Sequence, residues 1–131
     1  KLKHLDDWNG KRRANADIYQ QHLQDTAKKG LIVPPKAMNW AKHVYHVYVI
    51  QVDERVRDKL IEHLNAQGIG AQIHYPIPIH LQKAYSHLGY KQGSFPVAEG
   101  LAKRIVSLPM FPELEQHEIE YIAQEIKSFL K

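Results

Sequence analysis

The densest group of chemically able side chains lies in Ile73-His74-Tyr75-Pro76-Ile77-Pro78-Ile79-His80-Leu81-Gln82. Two imidazoles, a phenol and a carboxamide fall between His74 and Gln82, spaced by two prolines. Imidazole and phenol groups both donate and accept, so they suit hydroxyls and phosphate oxygens. Each proline fixes φ and lowers the entropy that a loop loses when its side chains are held in place. Two readings stand side by side: a stiffened binding loop, or a proline-rich turn with histidines on its surface.

Other chemistries find less support. Nine histidines invite a metal. However, His43 and His46 are three apart on a predicted strand and point to opposite faces. His74 and His80 flank a bend where they can converge, but no Asp or Glu lies between them. No His-x3-His pair exists to put two ligands on one helical face, and no metal is expected. Ser86, Ser94, Ser107 and Ser128 sit in no Gly-x-Ser-x-Gly setting. The seven glycines are scattered singly, so no phosphate-cradling loop is formed. Asp6-Asp7 and Asp53-Glu54 read as helix-start residues rather than a catalytic carboxylate pair. Zero cysteines exclude disulfides, thiolate zinc and a cysteine nucleophile, and fit a reducing cytoplasm.

The elements that must position this loop follow from periodicity. Leu2, Leu5, Trp8, Arg12, Ala16, Tyr19 and Leu23 form one stripe of a long helix, interrupted by Gly10 and stopped by Gly30 and Pro34-Pro35. Residues 31–42 read as an irregular connector. His43 to Val52 reads as a strand with apolar residues on both parities, as if covered on both faces. Tyr45 and His46 read as structural parts of that strand. Asp53 caps a helix carrying Val56, Leu60, Ile61 and Leu64, with Gly68 as its stop. Ile69 to Tyr75 reads as a second strand, ended by Pro76 and Pro78. A short helix is expected from about His80 to Leu88, ending at Gly89. Pro96 suits the first turn of another helix, and Val106 to Leu108 a brief third strand. The last helix spans roughly Glu115 to Leu130, on the stripe Ile119, Ile122, Ala123, Ile126 and Phe129. The expected class is α+β: a small, mainly antiparallel sheet covered by helices, with a long N-terminal and a C-terminal helix.

The 131 residues suit one domain with its own core. Hydrophobic residues make up 44% and charged residues 24%, ordinary globular values that argue against disorder. The net charge of +4 favours anionic partners without singling out nucleic acid. Its bases are dispersed, and the Lys11-Arg12-Arg13 and Arg55–Arg57 clusters sit among acids as solvated helix faces. No apolar run approaches the ~20 residues needed to span a bilayer, and Lys1–Gly10 has no signal-peptide pattern. The chain opens on lysine, which fits a piece of a longer protein.

Around the loop the sequence resembles the C-terminal small domain of the DegT/DnrJ/StrS family of sugar aminotransferases. Leu5 to Tyr19 (LDDWNGKRRANADIY) is similar to the helix that enters this domain, with its Arg-x2-Ala-x2-Tyr run. His43 to Ile50 (HVYHVYVI) resembles its first strand, and Arg57-Asp58-Lys59-Leu60 with Leu64 and Gln67-Gly68-Ile69 the next helix and turn. The most specific stretch is His74 to Gln82, followed by Ala84-Tyr85. Gly93 to Glu99 (GSFPVAE) and Ser107 to Pro112 (SLPMFP) complete the set, in order, so that residues 1–131 are covered as one domain.

The resemblance implies an aminotransferase of the aspartate-aminotransferase fold, using pyridoxal phosphate (PLP). It implies transfer of an amino group from glutamate or another amino acid to a nucleotide-linked keto sugar, of the 3-keto kind on the His-Tyr-Pro-x-Pro-x-His form. The Schiff-base lysine and the other cofactor contacts belong to a large domain whose motifs this chain does not carry. No catalytic or cofactor-binding residue is therefore assigned here, and the chain alone is expected to be inactive. The resemblance puts His74 and Tyr75 toward the substrate, with His80 next and Tyr85 last. It also implies a homodimer when intact, and no nucleic-acid or membrane partner. A sugar dehydratase of the same family and a free-standing regulatory or nucleic-acid-binding module are the alternatives.

Overall fold

The computed structural model describes residues 1–131. Four α-helices and two strands follow in the order α1 (Leu5–Lys28), β1 (Tyr48–Gln51), α2 (Glu54–Ala66), α3 (Pro96–Arg104), β2 (Ile105–Leu108) and α4 (Gln116–Phe129). Short 3-10 turns cover Leu2–His4, Ile79–Leu81 and Lys83–Leu88. The strands run antiparallel, with Tyr48 opposite Leu108 and Ile50 opposite Val106. Single bridges extend the sheet on each side, Val33 to Gln51 and Gln72 to Ser107.

The core is one cluster to which α1 gives Ala16, Tyr19 and Leu23, α2 gives Leu60 and Leu64, and α4 gives Ile119, Ile122, Ala123 and Ile126. Each fully buried aliphatic side chain contributes about 1.5–3 kcal/mol relative to exposure. The Tyr19 ring stacks on Tyr48 at 4.6 Å and 22°, fixing α1 against β1. The Tyr19 hydroxyl donates to the Pro109 carbonyl at 2.9 Å, and the Asn15 amide to the Phe111 carbonyl at 3.0 Å. Helix α1 thus also pins the passage that follows β2.

Helix boundaries agree with the residues expected to set them. Asp53 accepts from the Arg55 backbone N–H at 2.9 Å and caps α2. Gly68, at φ +78°, turns the chain out of α2 in a conformation that favours glycine. Pro96 opens α3, and the Glu118 carboxylate reaches back to the Glu115 N–H at 2.8 Å to open α4. The basic clusters make local pairs, Lys11 with Asp7 and Arg55 with Asp53.

Four expectations need correction. The stripe of α1 faces the core only from Ala16 onward, and Leu2 is 85% exposed. The strand expected from His43 begins at Tyr48. Tyr45 sits at φ +46° and its N–H donates to the His43 ring at 2.9 Å, so that amide is taken before it can join a ladder. Only the Tyr48–Ile50 face of β1 is fully buried, because helices cover one side and leave Val47 and Val49 partly open. The strand expected from Ile69 to Tyr75 shrinks to the Gln72 bridge. There the Asn65 side chain binds both the N–H and the carbonyl of Ala71, at 3.1 and 3.2 Å. The helix expected over His80–Leu88 is two 3-10 turns, split where Gln82 is extended.

Candidate functional site

The His74–Gln82 loop leaves the sheet edge at Gln72, whose backbone exchanges hydrogen bonds with Ser107 at 3.1 and 2.8 Å. His74 and Tyr75 follow at once and are both exposed, Tyr75 at 73%. Their rings meet edge to face with centroids 5.5 Å apart, and the peptide that joins them is cis.

These two neighbours serve different hollows. His74 lines a cleft of about 200 Å³ with His46, Gln72, Ser107, Pro109 and Met110. Pro109 stands there because the Tyr19 hydroxyl holds its carbonyl. Burial pushes the phenols of Tyr19 and Tyr48 far above the ordinary tyrosine range, and each ring raises or is raised by a neighbouring tyrosine. Both act there as neutral packing groups, and the Tyr19 hydroxyl alone adds a hydrogen bond. Tyr75 lines an apolar hollow of about 480 Å³ with Ile77, Ile79, Leu88, Tyr90 and Phe95. A polar ligand edge fits the His74 side and an apolar or ring face fits the Tyr75 side.

His80 is turned inward, at 9% exposure. Its Nε2 lies 2.9 Å from the Glu99 carboxylate, and its ring meets Phe95 edge-on at 4.8 Å. Tyr85 is exposed on the second 3-10 turn and lines neither hollow. Of the four sequence-predicted residues, His74 and Tyr75 stand together at the surface, His80 supports them from below, and Tyr85 stands apart. His46 joins the His74 cleft, as an exposed side chain ahead of β1 rather than within a strand.

Glu99 is the residue that sequence reasoning passed over. Its side chain is 13% exposed and gathers four contacts. The Gly93 N–H donates to both carboxylate oxygens at 2.9 and 2.8 Å, the Phe95 N–H donates at 3.2 Å, and His80 closes the set. The Gly93 amide foremost, with His80 and Phe95 adding less, holds its carboxyl below the usual range, although desolvation, second only to Gly93, opposes them. A signal was present. Glu99 lies in the first turn of α3, from which a carboxylate can reach back to the amides of the turn that leads into the helix.

No group of three or more His, Asp or Glu side chains is placed to hold a metal ion. No helix is long and apolar enough to cross a membrane. Every lysine is exposed in this chain, so none sits in the enclosed apolar pocket that suits Schiff-base chemistry. The side chains present do not by themselves make a PLP site.

Comparison with known proteins places the chain as a whole. The DegT/DnrJ/EryC1/StrS aminotransferase family matches residues 1–127. A protein of Geobacillus stearothermophilus named pleiotropic regulatory protein is 41% identical over 131 residues, which is 100% of this chain and 34% of that protein. The UDP-N-acetyl-3-dehydro-alpha-D-glucosamine 3-aminotransferase of Acidithiobacillus ferrooxidans is 42% identical over 128 residues, 97% of this chain and 32% of that protein. The crystal structure of S. venezuelae DesV in complex with a ketimine intermediate superposes with a TM-score of 0.88 at 36% identity, over 99% of this chain and 34% of that one. The chain thus spans about a third of the length of the relatives it matches.

Proposed function

The chain belongs to the DegT/DnrJ/EryC1/StrS aminotransferase family, and we propose that it is the C-terminal small domain of a PLP-dependent sugar aminotransferase. The whole protein moves an amino group from an amino acid such as glutamate to a nucleotide-linked keto sugar, in amino-sugar and polysaccharide biosynthesis. The observation that carries this is the 42% identity over 128 residues to a relative whose name is that of a 3-aminotransferase of a UDP-linked 3-dehydro sugar. The same relative favours a 3-keto substrate.

On this reading PLP is held by the part of the protein that the chain does not span, which the exposed setting of every lysine here supports. When bound there, the cofactor supplies the electron sink for amine transfer. The present residues supply grip. His74 meets sugar hydroxyls or the diphosphate through its two ring nitrogens, and Tyr75 lays its ring on the apolar face of the sugar. His80 contributes from beneath the loop, and Tyr85, which stands apart from both hollows, has the least part in the grip. The resemblance further supports a homodimer, and the absence of cysteine supports a cytoplasmic setting. No metal, nucleic acid or membrane has a part in this reading.

The test uses the full-length enzyme with PLP, glutamate and UDP- or dTDP-linked 3-keto sugars, with the amino-sugar product followed by mass spectrometry. His74→Ala is expected to raise KM for the keto sugar about tenfold, as loss of one hydrogen bond to a charged or polar ligand does. The glutamate half-reaction and the cofactor's absorbance should not change. An unaltered KM removes His74 from the binding face. No amine from any keto sugar removes the reaction. A regulatory role, prompted by the name of the G. stearothermophilus relative, predicts sugar-nucleotide binding without turnover, which the same assay distinguishes.

A further inference from the structure

The loop that carries His74 and Tyr75 is poorly tied down. Pro76 and Pro78 have no N–H to donate. The backbone bonds of residues 73–82 are local, Leu81 to Pro78 at 2.9 Å and Gln82 to Ile79 at 3.1 Å, and the Gln82 amide turns back to the Ile77 carbonyl at 3.2 Å. Beyond the Gln72 bridge, one hydrogen bond joins this segment to a distant element, and that is His80 to Glu99.

Glu99 is suited to be the fixed end. It lies on α3, which runs directly into β2, and β2 pairs with β1 at the centre of the sheet. Its carboxylate also binds the Gly93 and Phe95 amides, so the 93–95 turn cannot move independently of α3. Phe95 packs edge-on against His80 at 4.8 Å and against Tyr90 at 5.0 Å, which walls the hollow under Tyr75.

The geometry points to Glu99 as the positioning residue of this site: through His80 and the amides of Gly93 and Phe95 it sets where His74 and Tyr75 meet the nucleotide sugar. This rests on the small-domain reading for the identity of the ligand, while the clasp itself stands on contacts within the chain. Glu99 touches no substrate. It determines whether the residues that do are held ready or must be ordered on binding, and ordering a loop at that moment weakens affinity.

The experiment uses the full-length enzyme and two readouts. For Glu99→Gln, which keeps one acceptor oxygen and loses the second, KM for the keto sugar is expected to rise about tenfold, with the glutamate half-reaction within about twofold of wild type. Amide deuterium uptake should quicken in residues 73–82 and 91–95 while the β1–β2 pair keeps its protection. His80→Ala should do the same. His80→Gln, which places an amide N–H where Nε2 lies, should recover most of what the alanine loses. If both half-reactions fall together with thermal stability, Glu99 serves the fold alone and the inference fails. An unmoved KM in an active enzyme also overturns it, leaving the aminotransferase reading intact. If the wild type aminates no keto sugar, that reading fails instead, and deuterium uptake at 73–82 still decides whether Glu99 holds the loop.

Discussion

Protonation of Glu99 would break its clasp from the acid's own side. Its carboxyl titrates below the ordinary value of 4.5 in the folded protein. A depressed acid adds stability at pH values above its unfolded value, and that stability is lost as pH falls through the folded one. The Glu99 contribution should therefore be complete at pH 7 and shrink once the pH drops below the ordinary carboxylate range. Urea unfolding of wild type and Glu99→Gln tests the sign. The gap between them should be largest at neutral pH and close on acidification. A gap that stays constant would mean that the carboxylate's charge contributes nothing. At this scale the sequence was half legible. The sequence singled out His74 and Tyr75 on a proline-spaced loop, and both side chains are exposed. The inward turn of His80 was not legible, because its partner lies nineteen residues away on another element.

Elements were read well where local chemistry decides them, and misread where a side chain competed for the backbone. Asp53, Gly68 and Pro96 act within one turn, so the borders of α2 and the start of α3 were visible in advance. Apolar β-branched runs also suggested strands at 43–52 and 69–75. The structure keeps four residues of the first and one bridge of the second. In each case a side chain takes a backbone group that a ladder would need: His43 at Tyr45, and Asn65 at Ala71. Composition cannot show this, since it depends on how α2 delivers Asn65 to the chain six residues later. Asn65→Ala should therefore cost about 1–3 kcal/mol, because Ala71 is 2% exposed and its carbonyl would lose its partner, while its N–H keeps the Ile69 carbonyl at 2.7 Å. Chemical unfolding measures the loss. A value near zero would show that water reaches Ala71 and replaces the amide.

At the scale of the molecule, the fold closes a core and leaves one face unfinished. Twenty buried side chains, from α1, α2, α4, both strands and the segments that join them, make a single cluster around the sheet. That architecture was readable from periodicity, since long amphipathic helices and a short sheet have few ways to bury their stripes. Between Tyr75 and Val97, however, Ile77, Ile79, Leu88, Tyr90 and Phe95 stay exposed around the Tyr75 hollow. A contiguous apolar face of this kind marks a place where another surface or a ligand belongs. The proposed large domain and sugar nucleotide provide both, and the matched relatives are about three times as long as this chain. The 131-residue chain by itself should therefore bind an apolar dye such as anilinonaphthalene sulfonate at neutral pH, with its near-ultraviolet dichroism intact. The full-length protein should bind less dye per mole, and Ile77→Glu in the short chain should lower the signal without unfolding it. A short chain that leaves the dye dark while folded would mean that these side chains close over one another in water. The hollow beside Tyr75 would then lose its place in the proposed grip.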